Sequence, residues 1–149
     1  MIEKFLDKSI KEINYKLKNS NNLYLVDEAI NVFDLKTIFF LIETVGEVVE
    51  DIKIVFEKGN HKILFDKLVD QYGFPSQYYD ENSLVENQMK GNFINWNIKK
   101  MPLVSYEESD ISWLNNNIWD MSNYVIKLLK FPIIRGIEGD YLYLHFYKK

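Results

Sequence analysis

The stretch from Asp34 to Gly59, DLKTIFFLIETVGEVVEDIKIVFEKG, constrains this chain more than any other. Leu35, Ile38, Ile42, Val45, Val49, Ile52 and Phe56 recur at alternating steps of three and four. That spacing puts them on one side of an α-helix and predicts a long amphipathic helix. Asp34 offers an N-cap oxygen, and Gly59 suits the left-handed position that ends a helix. Phe39, Phe40, Leu41, Val48, Ile54 and Val55 widen the apolar face beyond a coiled-coil seam. The helix is therefore expected at the core of a globular domain, covered on more than one side. A competing reading ends it near Gly46. β-Branched residues crowd the span from Val45 to Val55, Ile52-Lys53-Ile54 alternates like a strand, and Lys58-Gly59-Asn60 would turn back into His61–Phe65 as a hairpin.

A chain of 149 residues fits one domain, 1–149, and can bury roughly two-thirds of its unfolded surface. With 47% hydrophobic and 27% charged residues, wholesale disorder is not expected. The absence of Cys removes disulfides, thiolate zinc sites and cysteine nucleophiles, and suits a reducing compartment. The opening MIEKFLDKSIKEINYKLKNS mixes charge through every turn and does not read as a secretory signal. The longest apolar run, Ile38–Ile42, is too short for a membrane span, so a cytoplasmic protein is expected. Net charge is −4, and no Lys cluster stands clear of neighbouring acids. Nucleic acid is thus a poor partner, whereas a basic protein is easily accommodated.

Around the central stretch the expected architecture is α+β. Ile2, Phe5, Leu6, Ile10, Ile13 and Leu17 form the stripe of a surface helix that Ser20-Asn21-Asn22 ends. Leu23–Val26 is a short strand. Asn60 caps a third helix with Leu64, Phe65, Leu68, Val69 and Tyr72 inward, closed by Gly73 and then Pro75. GFPSQYYDENS reads as the one long loop. Phe93–Ile98 alternates as a strand that Lys99-Lys100 breaks, and Leu103–Tyr106 continues as another. From about Asp110 to Lys130, Leu114, Ile118, Met121, Val125, Leu128 and Leu129 predict a further helix, with Trp113, Trp119 and Tyr124 alongside and Phe131-Pro132 as its stop. Ile133–Tyr147 carries the strongest β signal. Leu142, Leu144 and Phe146 share one face of a C-terminal β-hairpin, while Tyr141, Tyr143, His145 and Tyr147 share the other. A loop of Ile137-Glu138-Gly139 would set Ile134 beside Leu142 and Arg135 beside Tyr141.

Nucleotide-binding, zincin and nucleophile-elbow motifs are absent, and no cofactor or metal is expected. Gly136-Ile-Glu-Gly139 matches GxxG, but its acid and the acidic chain favour a plain hairpin turn over a nucleic-acid clamp. His61, near a helix start, reads as a solvated side chain, and nothing pairs it with His145 at a metal-ligand spacing. Two groups of side chains are candidates for function. Tyr78, Tyr79, Asp80, Glu81 and Glu86, with Glu107, Glu108 and Asp110, combine aromatic contact area with carboxylates that steer a basic partner. Arg135 (the only Arg), Tyr141, Tyr143 and His145 offer an anion site or acid–base groups. The ordinary readings are a solvated loop for the first group, and amphipathic packing or a wet sheet face for the second.

In general character the chain is small, acidic, Cys-free and single-domain, and in this it resembles bacterial toxin-immunity (antitoxin-like) proteins. No motif is shared, and no residue role carries over. The resemblance implies a non-catalytic module that neutralises a basic toxin, such as a nuclease, in a tight complex. The acidic and aromatic loops would be its contact surface. The alternative is a small-ligand protein or enzyme using Arg135, Tyr143 and His145. A third possibility is a subunit that assembles through the exposed part of the broad helical face.

Overall fold

A computed structural model describes residues 2–57, 60–79, 98–100, 117–134 and 137–149. Their architecture is a large antiparallel sheet with one α-helix, not the α+β arrangement around a long core helix that the helical spacing predicts. In chain order come β1 (Leu17–Ser20), β2 (Leu23–Val26), β3 (Asn31–Val32), β4 (Leu35–Val45) and β5 (Val48–Phe56). After α1 (His61–Tyr72) follow β6 (Gln77–Tyr79), β7 (Ile98–Lys100), β8 (Asn117–Asp120), β9 (Tyr124–Ile134) and β10 (Ile137–Lys148). The spatial order is β1-β2-β4-β5-β10-β9-β8-β6-β7, with β3 on β4. The C-terminal strand therefore lies at mid-sheet, clamped between β5 and β9.

The expected core helix is the β4–β5 hairpin. Gly46, with φ 63°, opens the two-residue connection from Val45 to Val48, the position where a type II′ turn demands positive φ. Part of the helical spacing has a concrete cause, because two register shifts break the strands' period of two. The stripe as a whole is not one face, since Ile38 and Val45 are exposed. Thr37 pairs with Phe56 and Phe39 with Val55, which leaves Ile38 as an extra residue in β4. Glu43 pairs with Asp51 and Thr44 with Val49, which leaves Glu50 as an extra residue in β5. Each extra residue puts side chains three apart on one face, so Val49 and Ile52 are both fully buried. The Val49–Ile52 step thus imitates one turn of a helix in the sequence.

Other helices are corrected too. From Ile2 to Glu12 the chain forms two 3₁₀ turns, Ile2–Phe5 and Ile10–Glu12, and the second is closed by a capping box between Ser9 and Glu12. Backbone bonds from Asp7 to Val49 (2.9 Å) and from Ile10 to Glu47 (2.7 Å) tie the segment to β5 and to the turn before it, which a continuous helix could not allow. Its expected apolar stripe is nevertheless the buried one: Ile2, Leu6, Ile10 and Ile13 are in the core. Ser20-Asn21-Asn22 turns β1 into β2, with Asn21 left-handed. The described part of the expected 110–130 helix is the β8–β9 hairpin. Pro132 does not stop a helix. It lies within β9, opposite the irregularity between Glu138 and Tyr141, where a missing N–H is tolerated. Lys99 and Lys100 belong to β7 instead of breaking it.

The short strand at Leu23–Val26 and the third helix hold, whereas the expected strands Phe93–Ile98 (apart from Ile98) and Leu103–Tyr106 lie outside the described residues. β2 spans Leu23–Val26, and α1 runs from His61 to Tyr72 before Gly73 (φ 82°). Asn60 sits at its N-cap without a side-chain capping bond. The C-terminal hairpin forms in a different register, Ile134 opposite Ile137 and Lys130 opposite Leu142.

One face of the sheet carries the main core. Ile52, Ile54 and Phe56 of β5, Leu144 and Phe146 of β10, and Ile126 and Leu128 of β9 are fully buried. Leu64, Phe65 and Leu68 of α1 cover them together with the N-terminal segment. Each such side chain contributes about 1.5–3 kcal/mol of apolar burial. Trp119 of β8, 1% exposed, lies 6.0 Å from the Phe65 ring and donates its indole N–H to the Gly73 carbonyl oxygen at 2.8 Å. That bond fixes the C-terminus of α1 to the sheet.

Candidate functional site

The same strands present different chemistry on their other face. Cross-strand pairs share a face, so the register places Lys53, His145, Lys127 and Ile118 in one row across β5, β10, β9 and β8. A second row runs Glu43, Asp51, Tyr147 and Val125 from β4 to β9. Tyr143 stands between Val55 and Leu129 in a third. Ile118, Val125 and Leu129 form a small apolar cluster at one flank, against which Tyr143 and Tyr147 pack.

Glu43 and Asp51 are directly opposite, an arrangement that repels unless cations intervene. Two groups intervene. Lys53 Nζ is 3.0 Å from Glu43 and 3.9 Å from Asp51. His145 Nε2 is 2.8 Å from both oxygens of Asp51. The His145 and Asp51 side chains are only 18% and 22% exposed, so this pair is mostly withdrawn from water. With Nε2–H donated to the carboxylate, the imidazole is held in one orientation and Nδ1 has no hydrogen-bond partner among the described residues. Tyr147 packs on the imidazole at 4.9 Å, and Lys127 Nζ lies 5.0 Å from the centre of the Tyr147 ring. Tyr143 meets His145 edge-on at 6.0 Å. Burial pushes the Tyr143 phenol well above its ordinary range, and the Asp51 and Glu43 carboxylates add to the rise. Tyr143 is therefore a neutral phenol at physiological pH.

Of the second expected group, Tyr141, Tyr143 and His145 alternate along β10 and are half-buried, while Arg135 lies outside the described residues. Of the first, Tyr78 and Tyr79 belong to β6, paired with β7 and β8. Asp80, Glu81, Glu86, Glu107, Glu108 and Asp110 lie outside the described residues. The partners of His145 escaped the sequence reading. Asp51, Lys53 and Glu43 fell within the expected helix and Lys127 within another, where nothing brings them to β10. The alternation Asp51-Ile52-Lys53-Ile54 was the signal that could have found them.

Among the described residues no His, Asp and Glu side chains group as metal ligands, and no helix is long and apolar enough to cross a membrane. The expected assembly surface on a broad helical face is lost with the helix itself. The chain matches no protein-family model, no curated protein and no solved structure.

Proposed function

We propose that this protein is a non-catalytic binding module that occupies a basic protein partner, in the manner of a toxin-immunity protein. The observation that carries the reading is the row of half-buried Tyr, His, Lys and carboxylate groups fixed on one sheet face. Aromatic side chains give contact area at low entropy cost, and paired charges reject ill-matched surfaces. The face itself is of mixed charge. Preference for a basic partner comes from the net charge of −4, which steers encounter at long range. Asp80, Glu81, Glu86, Glu107, Glu108 and Asp110 remain proposed contributors to that steering. The test is stoichiometric co-purification of a basic protein whose activity the chain blocks. Charge reversal at Glu107 and Glu108, or Tyr147→Ala, should weaken the block. Full inhibition by all of these variants would remove the proposed surface.

A second reading rests on the Asp51–His145 pair. A carboxylate that orients an imidazole, with no partner for Nδ1 among the described residues, is an arrangement suited to proton transfer or to binding a small polar ligand. Loss of a small molecule's binding in His145→Ala, with the unfolding midpoint retained, would favour this reading over the first.

A further inference from the structure

Away from that face, a pocket of about 310 Å³ opens beside the β3–β4 turn, within the range of roughly 300–1,000 Å³ that small-ligand sites occupy. Three aromatic side chains line it: Phe5, Tyr15 and Phe33. The Phe5 and Tyr15 rings stand nearly perpendicular, 6.0 Å apart at 80°, and Tyr15 is braced from behind by the core residue Phe40 at 5.8 Å. Ile2 and Val32, both in the core, also line the pocket. Asp34 lines it as well, its side chain 92% exposed.

The turn that brings Phe33 and Asp34 here is built against local preference. Val32 and Leu35 pair directly, so Phe33 and Asp34 form a two-residue connection, with φ values of 53° and 64°. Positive φ at both positions is the type I′ requirement, which Asn-Gly meets without strain and a bulky aromatic does not. Strained residues of this kind concentrate at ligand sites, because the local cost is retained only where the side chain is needed. Asp34 already attracts an alkylammonium, since Lys67 Nζ of α1 lies 3.2 Å from its carboxylate.

We infer that this pocket binds a methylated ammonium group, its methyls against the Phe5, Tyr15 and Phe33 rings and its charge balanced by Asp34. Ring faces attract a cation through their quadrupole, and aromatic walls with a nearby carboxylate favour a quaternary ammonium over an uncharged group of equal shape. The source is either a free choline-like amine or a trimethylated lysine on a protein.

The experiment titrates the full chain by NMR with choline, with its uncharged tert-butyl isostere, and with a trimethyllysine peptide. Saturable shifts of the pocket's aromatic resonances are expected with choline, on the order of tenfold weaker with the isostere. A tighter peptide identifies a protein source, and equal affinities identify a free amine. Phe33→Asn, which suits the turn's backbone, should weaken binding on the order of tenfold without lowering the unfolding midpoint. Lys67→Gln, by removing the competing ammonium, should tighten it roughly two- to fivefold. Equal affinity for choline and isostere, no saturable shift, or unchanged binding in both variants would overturn the inference.

Discussion

Leu144 and His145 are neighbours in β10, yet they belong to two different environments. Leu144 is fully buried between Ile54 and Leu128, under the helix and the N-terminal segment. His145 lies between Lys53 and Lys127 on the opposite face, partly open to water and bonded to Asp51. The period of two sorts these chemistries with no separate structural element for either. The inner face supplies most of the apolar burial that holds the sheet together. The ion pairs of the outer face keep partial contact with water and so contribute only modestly to stability.

The sharpest way to break this contrast is truncation on the inner face. Leu144→Ala should lower unfolding free energy by about 2–5 kcal/mol in chemical denaturation, since the site is enclosed and cannot readily collapse. A loss below about 1 kcal/mol would mean that the inner face is less tightly packed than described.

Asp51→Ala on the outer face should cost only about 1 kcal/mol. It removes the partner of His145 but also relieves the repulsion from Glu43, which keeps Lys53. A double-mutant cycle with His145→Ala isolates the pair and should return a coupling of about 1 kcal/mol.

A smaller effect appears in alkali. The Tyr143 phenol titrates at higher pH in the folded chain than its ordinary value of 10.0, chiefly through burial. Tyr72 behaves likewise: burial raises it first, and its hydrogen bond to Glu3 adds to the rise. The folded state thus holds protons that the unfolded state releases above about pH 10, so stability falls as pH rises past that point. Tyr124 is raised too, by burial and by Glu3. Ultraviolet titration should show Tyr143, Tyr72 and Tyr124 ionising late among the phenols of the described residues, and Tyr143→Phe should flatten the decline. A curve as steep in Tyr143→Phe as in the wild type would contradict the assignment.

Much of the burial pattern was legible in the sequence, but the element types often were not. The inward residues of the N-terminal segment, Ile2, Leu6, Ile10 and Ile13, are those its helical stripe selects, because hydrophobic spacing reports a buried face before it reports a backbone. In β5 the extra residue Glu50 inserts a three-residue step between the buried Val49 and Ile52, so part of a bulged hairpin reads like a helix, although Ile38 and Val45 of the same stripe are exposed. Helix α1 shows how such an ambiguity resolves: a hairpin strand over His61–Phe65 competes with it, but the helical stripe runs on to Tyr72. Its stripe is uninterrupted, and Gly73 and Pro75 punctuate its end. Half of the candidate site followed from the alternation of Tyr143, His145 and Tyr147. The other half, Asp51, Lys53, Glu43 and Lys127, depends on strand pairing between β10 and distant segments, which local pattern does not encode.

The most direct test of the division between the two faces compares the wild type with a His145→Ala/Tyr147→Ala double variant. Each is used to capture its partner, and each is unfolded thermally alongside. The account predicts that the wild type retains a stoichiometric basic protein, that the variant's affinity falls at least about tenfold, and that the midpoint moves by only a few degrees. Undiminished capture by the variant, or a wild type that retains no such protein, would contradict it.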